Sequence, residues 1–399
     1  MTKRIFSVLL MLAVLTAMLS VTAFAAGTVT INVYNWGQYI ADGTDGSIDV
    51  IEAFEEAYPN IKVNYMTFDS NESMYTKLKA GGSSFDIIIP SDYMIDKLIQ
   101  EDMLEELDFS NIPNYATIDE GFKNLAYDPE NRYSVPYTWG TVGIIYNKNY
   151  VDPADVTGWE VFWNEKYSGK ILMFDNPRDA FAIAQLELGY DLNTEDSVAL
   201  GLAAQLLRDQ KPLVQAYVMD QIFDKMERAE AWIAPYYAGD YLTMVEENPD
   251  LEFYFPEEGY NLFVDAICIP KGAEHKKEAE TFINFLISPE ICAQNLEYLG
   301  YSAPSTAAKE LMDPEMAENP VAYPSDEVLA RGAAFRALSE TATQEMNTLW
   351  LTVKTADTAT TVYLILTLVA IVAVAVLWLY AKARRRAKKS RRCAKWKTQ

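Results

Sequence analysis

The sequence contains few side chains suited to catalysis or to metal binding. It has a single histidine, His275, among 399 residues, and three cysteines. His275 lies in a polar, loop-like stretch, so a histidine metal site or a Ser-His-Asp triad is poorly supported. A phosphate-binding glycine loop and a Cys-x-x-Cys pair are also absent from the sequence. We therefore expect neither catalytic activity nor a bound metal or cofactor.

The three cysteines leave disulfide pairing open. Cys268 lies in an apolar, strand-like run, Cys292 in a helix-like run and Cys393 in the basic C-terminal segment. At most one disulfide can form between the first two. Two buried free thiols fit these apolar surroundings at least as well.

Basic residues are scarce except near the two ends. The chain has 33 Lys and Arg against 57 Asp and Glu, a net charge of -24. Two of the basic residues precede residue 5 and ten follow residue 380. The segment between them therefore contains 21 basic residues and all 57 acidic residues. A segment this acidic repels nucleic acid and attracts cations.

The length allows two or three domains, and the 50% apolar content is that of a folded protein.

The N-terminal segment is typical of a secretory signal peptide. Lys3 and Arg4 precede a long apolar run, and Ala23-Phe24-Ala25 forms a small-x-small cleavage site. The pattern predicts a signal peptide over residues 1–25, with an uncleaved membrane anchor as the alternative.

The C-terminal segment predicts a membrane anchor. Val362–Tyr380 is 19 residues long and uncharged, about the length that crosses a bilayer as a helix. By the positive-inside rule, the basic tail at 381–399 is cytoplasmic and the body before it is extracytoplasmic. Residues 356–361 would form a short stalk. A buried core helix is the alternative for the apolar run.

Strand-like and helix-like segments alternate through the body. Thr28–Asn35 has the alternating pattern of a strand, and the residues from 48 to 58 have helical spacing. Such alternation favours an α/β fold with a largely parallel sheet. Val135–Tyr146 and Leu262–Ile269 are two further β-rich runs.

Aromatic residues are interleaved with the acids, with 25 Tyr, 17 Phe and 8 Trp. An organic cation is stabilised by carboxylates and by aromatic faces, each cation–π contact contributing ~0.5 to 2 kcal/mol. Core packing accounts for most aromatic residues in any protein. Composition alone therefore does not select the binding residues.

Six short segments stand in order along residues 28–356: Ile31–Tyr39 (INVYNWGQY), Ser70–Tyr75, Pro90–Tyr93, Pro136–Gly140, Val264–Pro270 and Leu299–Pro304. In this order they resemble the periplasmic polyamine-binding proteins of ABC importers. The resemblance implies a two-lobe, Venus flytrap α/β fold with crossing hinge strands that closes over its ligand. Lobe one would comprise 27–141 and 264–309, and lobe two 142–263 and 310–355.

The resemblance also implies a binding site for an organic cation. From lobe one and the second crossing, the implied site residues are Trp36, Tyr39, Ser91, Tyr93, Phe263, Asp265 and Tyr301. Asp265 would hold one ammonium group. Apolar residues flank it on both sides, and an acid in such a run needs a partner; a surface strand acid is the alternative.

Lobe two combines features of two branches of relatives. Asn176 and Asp179 align with the acidic pair of the spermidine-preferring branch, so the first acid is missing here. Asp179 also fits the first turn of a helix capped by Asn176, a structural role that could coexist with binding. Tyr237 and Asp240 resemble the Trp-x-Gly-Asp motif of the putrescine-preferring branch. The choice between putrescine and spermidine stays open.

These observations together predict the substrate-binding component of a polyamine ABC importer. It would act as a membrane-tethered monomer and deliver its ligand to the permease of a transporter that also contains ATPase subunits. Gly37 and Phe263 depart from the relatives, which have a hydroxyl residue and an indole there. The alternatives are a binding protein of the same fold for another small ligand, such as an amino acid, and an extracytoplasmic sensor or enzyme. An amino acid would need an arginine, and only Arg178 lies near, on a helix face expected to point away.

Overall fold

The computed structural model describes residues 27–81 and 84–396. Within the C-terminal helix, the side chains of 357–365 and most of those after 378 are outside the description. The predicted signal peptide, residues 1–25, also lies outside the described residues.

Strands and α-helices alternate along the described chain. The strands are β1 (Val29–Trp36), β2 (Ile61–Phe68), β3 (Ile87–Ile88), β4 (Ser134–Asn147), β5 (Ile171–Phe174), β6 (Val214–Val218), β7 (Ile233–Tyr237), β8 (Leu251–Tyr254), β9 (Tyr260–Cys268) and β10 (Gly332–Ala333). The α-helices are α1 (Val50–Ala57), α2 (Asn71–Lys79), α3 (Asp92–Gln100), α4 (Pro177–Glu187), α5 (Ser197–Gln210), α6 (Ile222–Glu227), α7 (Ala238–Glu247), α8 (Lys276–Leu286), α9 (Pro289–Leu299), α10 (Thr306–Lys309), α11 (Pro314–Ala317), α12 (Asp326–Leu329) and α13 (Glu340–Trp396). Short 3-10 helices lie at Thr44–Gly46, Phe109–Asn111, Pro113–Thr117, Glu120–Phe122, Pro153–Asp155, Trp159–Trp163, Glu165–Tyr167 and Lys211–Leu213.

The strand order is β2-β1-β3-β9-β4-β7-β5-β6, with β10 beside β9 and β8 beside β4. Pairing is parallel among β2, β1 and β3, and again among β6, β5 and β7. It is antiparallel where β9 and β4 join these two groups. The predicted parallel sheet is therefore present in each half, and the antiparallel pairs lie where the chain crosses between the halves.

Strand β4 belongs to both halves of the structure. Its first part, 134–141, pairs with β9, and its second part, 142–147, pairs with β7 and β8. All fourteen of its residues are buried, which explains why the strand is nearly continuously apolar in sequence. β4 and β9 are the two crossing strands.

The hydrophobic cores lie on either side of this crossing and define two lobes. Buried residues between 142 and 260, joined by Ala342, Met346 and Val353 of α13, form the core of lobe two. Buried residues between 31 and 137 and between 263 and 312 form two clusters in lobe one. The protein therefore has a two-lobe α/β fold.

One part of the predicted lobe two packs elsewhere. Met312 is buried in a lobe-one cluster, and Met316 and Tyr323 pack against that cluster. These apolar side chains, from a segment that the sequence interpretation placed in lobe two, are therefore covered by lobe one.

The last helix, α13, begins on lobe two, where its buried Met346 and Val353 contact the core. Among the residues that the structure describes, none of the helices combines the length and the apolar character that a membrane crossing requires. The predicted span 362–380 includes side chains that the structure does not describe.

Cys268 and Cys292 are both buried and unpaired.

Candidate ligand-binding site

The ten site residues implied by the sequence all line one cleft between the lobes. They are Trp36, Tyr39, Ser91, Tyr93, Asp179, Tyr237, Asp240, Phe263, Asp265 and Tyr301. They come from positions as far apart as 36 and 301, so the fold brings together what the sequence separates.

Strand ends and helix starts position most of these side chains. Trp36 is the last residue of β1, Ser91 directly precedes α3, and Asp179 and Asp240 lie in the first turns of α4 and α7. In open α/β sheets, ligands bind beyond the carboxyl ends of the strands. The partial positive charge of a helix N-terminus also stabilises a carboxylate placed there.

Asp265 lies on β9 and is almost fully buried, with 4% of its surface exposed. The hydroxyl of Tyr39 donates a hydrogen bond to Oδ2 of Asp265 at 2.7 Å. Its Oδ1 is buried without a hydrogen-bond partner of good geometry among the described residues. Burial raises the pKa of Asp265 to about 6, although interactions with the hydroxyls of Tyr39 and Ser91 lower it. A buried carboxylate oxygen without a partner is the expected acceptor for a cationic ligand.

Asp179 combines a structural contact with a place in the cleft. Asn176 is the N-cap of α4 and accepts a hydrogen bond from the backbone N–H of Asp179 at 2.8 Å. Oδ2 of Asp179 accepts from Nδ2 of Asn176 at 2.8 Å and from the hydroxyl of Tyr237 at 3.0 Å. Burial raises the pKa of Asp179 to about 6, and these two hydrogen bonds lower it. The predicted helix cap is confirmed, and it coexists with exposure of Asp179 to the cleft.

Asp240 occupies another part of the cleft. The hydroxyl of Tyr301 donates a hydrogen bond to its Oδ1 at 3.0 Å. Burial raises the pKa of Asp240 to about 7; the hydrogen bond from Tyr301 lowers it and the like charge of Asp220 raises it further.

Aromatic rings connect these carboxylates. The ring of Tyr237, which is bonded to Asp179, lies 5.5 Å from that of Phe263. Phe263 in turn lies 6.5 Å from Tyr301, which is bonded to Asp240. The cleft therefore has an acidic group at each end of an aromatic row, an arrangement suited to a linear organic cation with two or more charges.

Two further carboxylates, which the sequence interpretation did not select, also line the cleft. Glu72, in the first turn of α2, accepts a hydrogen bond from the hydroxyl of Tyr93 at 2.9 Å, and burial raises its pKa. It falls within the resembling segment Ser70–Tyr75, which is a signal that could have found it. Asp220 follows β6 and lies opposite Gly37. Nothing in its local sequence marks it.

Among the residues that the structure describes, the cleft lining contains five carboxylates and no lysine or arginine. Arg178 lies outside the lining, as predicted. Its guanidinium donates to the backbone oxygens of Leu192 and Arg336 and lies 4.3 Å from the ring centroid of Phe335. The cleft is therefore strongly anionic, without a cation to hold a ligand carboxylate.

A deep cleft between two α/β lobes, with two crossing strands as its hinge, defines a two-lobe solute-binding protein. Residues 49–324 match the family described as bacterial extracellular solute-binding protein. The chain belongs to this family, whose members bind solutes for ABC transporters outside the cytoplasm and are not enzymes.

Several relatives resemble the chain over most of its length. The spermidine/putrescine-binding periplasmic protein of Escherichia coli K12 is 33% identical over 311 residues, which cover 78% of this chain and 87% of that protein. The putrescine-binding periplasmic protein SpuD of Pseudomonas aeruginosa is 30% identical over 83% of this chain and 94% of its own length. Among solved structures, a putative spermidine/putrescine ABC transporter protein from Listeria monocytogenes superimposes with a TM-score of 0.77 and 38% identity. That match covers 82% of this chain and 98% of the Listeria chain.

Proposed function

We propose that this protein is the substrate-binding component of an ABC importer for polyamines of the putrescine and spermidine class. The observation that carries the proposal is the row of aromatic rings between the carboxylates of Asp179 and Asp240, with Asp265 lining the same cleft. The names of the relatives, which refer to spermidine and putrescine, support the same ligand class.

The chemistry of a polyamine matches this cleft. Each protonated amine needs hydrogen-bond acceptors and a negative charge, and each methylene segment is stabilised by contact with an apolar or aromatic surface. Asp265 would hold one ammonium group through its free Oδ1, and Asp240 would hold another. Asp179 would serve as a third anion for a ligand with an additional charge.

Ligand binding would favour the closed arrangement of the lobes. Asp265 and Tyr39 approach the ligand from the crossing strand and lobe one, and Asp179, Tyr237 and Asp240 approach it from lobe two. A ligand that contacts both walls binds the closed state more tightly and shifts the population toward it. The permease, which works together with ATPase subunits, would then receive the ligand from this closed form.

We also propose that the body is a monomer tethered to the cell membrane by residues 362–380, with the tail at 381–399 in the cytoplasm. Support comes from the 19 uncharged residues and from the exposed apolar side chains of α13, which include Leu366, Ile371 and Trp378. A tether would keep the binding protein at high local concentration near its permease. Protease treatment of intact cells, followed by detection of a tag on the tail, tests this arrangement.

The lobe boundaries are proposed from the cores. Lobe one would comprise 27–141 and 264 to about 323, and lobe two would comprise 142–263 and the remainder up to 355. Met312 and Tyr323 support the change from 309 to about 323.

Isothermal titration of the full chain in mild detergent tests the ligand assignment. Putrescine, spermidine and spermine are the ligands, and arginine and glutamate are the controls. Micromolar or tighter binding of at least one polyamine, with no binding of glutamate, is the expected result. If every polyamine fails to bind, the two-lobe fold stands but the ligand class is wrong.

A further inference from the structure

Strand β9 directs three side chains into the cleft. Asn261, Phe263 and Asp265 line the cleft, whereas Leu262 and Val264 line an apolar groove on the opposite side of the strand. This is the alternation expected of a strand with two buried faces. Asn261 is thus aimed at the same space as Asp265, although nothing in the sequence interpretation assigned it a role.

The carbonyl oxygen of Asn261 has no hydrogen-bond partner among the described residues, although only 6% of the residue is exposed. The other buried asparagines all form side-chain hydrogen bonds; they are Asn35, Asn71, Asn147, Asn176, Asn248 and Asn295. Buried polar atoms in folded proteins are normally paired, and an unpaired one calls for an explanation. A ligand in the cleft provides one.

Asn261 lies beside the aromatic row, two residues before Phe263 on the same face of β9. Helix α4, which carries Asp179, packs against β9. The ring of Tyr237, bonded through its hydroxyl to Asp179, contacts Phe263, the next residue on the same face of β9 as Asn261.

We propose that Asn261 is a ligand-binding residue whose Oδ1 accepts a hydrogen bond from an ammonium N–H of a bound polyamine. The inference rests on the proposed function and deepens it. An ammonium group has several donors and no acceptor, so it can use a neutral amide oxygen in addition to a carboxylate. A neutral acceptor also adds no charge to a cleft that already contains five carboxylates, where one more would oppose the ionisation of the others.

The test compares Asn261→Leu with the wild-type full chain by titration with putrescine and spermidine. Asn248→Leu is the matched control, because Asn248 is a buried lobe-two asparagine whose Nδ2 donates to the backbone oxygen of Met226 at 2.9 Å. We expect Asn261→Leu to weaken the binding of at least one polyamine by about tenfold or more, the scale of a hydrogen bond to a charged group. Its melting temperature should not fall, because the substitution removes an unpaired acceptor. Asn248→Leu should show the opposite result, with a lower melting temperature and an affinity within about twofold of wild type.

The outcomes separate this inference from the proposed function. If the wild type binds polyamines and Asn261→Leu binds both ligands as tightly, only the role of Asn261 is overturned. If the wild type binds no polyamine, the proposed function fails and the inference fails with it. Should Asn261→Leu fail to fold, Asn261→Ala removes the same oxygen without added bulk, and the same loss of affinity is expected.

Discussion

The hydroxyl of Tyr301 donates a hydrogen bond to Oδ1 of Asp240 at 3.0 Å, and this bond joins the two lobes across the cleft. Tyr301 is buried in a lobe-one cluster, and Asp240 lies in the first turn of the lobe-two helix α7. The approach is close because residue 239 is glycine: a Cβ there would lie 2.5 Å from the Tyr301 ring. The contact therefore requires the two lobes to lie close together and involves a carboxylate that lines the cleft.

Tyr301→Phe should weaken polyamine binding by about tenfold, because it removes a hydrogen bond to a charged group and retains the ring. The melting temperature without ligand should change little. Titration and thermal unfolding measure the two quantities. Tyr298→Phe is the control, since the hydroxyl of Tyr298 contacts Thr44 at the surface. Equal affinities for Tyr301→Phe and wild type would show that the bond does not contribute to binding.

Asp265→Asn should raise the dissociation constant for putrescine and spermidine by about 30-fold or more. The amide can still accept the Tyr39 hydrogen bond, so the loss isolates the charge that faces the ligand. Asp209→Asn, at an exposed position on α5, changes the net charge equally and should bind almost as tightly as wild type. Unchanged polyamine affinity in Asp265→Asn would contradict the assignment of Asp265 as an ammonium-binding residue.

Polyamine affinity should rise between pH 5 and pH 8. Without ligand, the pKa is about 6 for Asp179 and Asp265 and about 7 for Asp240, so these groups are partly protonated in this range. A cation favours the ionised carboxylates and therefore displaces protons, which are fewer at higher pH. Titrations in buffers with different ionisation enthalpies measure the number of protons released. An affinity that does not depend on pH, with no proton release, would be inconsistent with binding through these carboxylates.

Gly37→Ala should weaken binding by about three- to tenfold. A Cβ at position 37 would lie 2.2 Å from Oδ2 of Asp220, so the carboxylate would have to rotate away when the lobes close. Part of the lost affinity should return in the double variant Gly37→Ala/Asp220→Ala, because the clash is then absent. Gly121→Ala is the control, since a Cβ there meets no atom within 4 Å. A binding curve for Gly37→Ala that overlays the wild-type curve would argue against this close approach.

Local patterns in the sequence were sufficient to predict much of the fold. The predicted strands at Thr28–Asn35 and Leu262–Ile269 correspond to β1 and β9, and the β-rich run Val135–Tyr146 corresponds to β4. These predictions succeeded because side-chain alternation and continuous apolar runs reflect burial on one or two faces of a strand. The lobe that covers the segment from 310 could not be predicted in this way, because its apolar residues indicate burial but do not show which core covers them.

The sequence by itself determined the α/β class, the scarcity of catalytic side chains and, through the family resemblance, ten of the residues that line the cleft. Only the tertiary structure decided how these residues pair: Tyr301 with Asp240, Tyr237 with Asp179, and Gly37 opposite Asp220. It also decided that Glu72 lines the cleft and that Asn261 lacks a partner. The reason is physical: propensity and alternation act between near neighbours along the chain, whereas a hydrogen bond or an unpaired atom depends on every group that folding brings within about 3 Å.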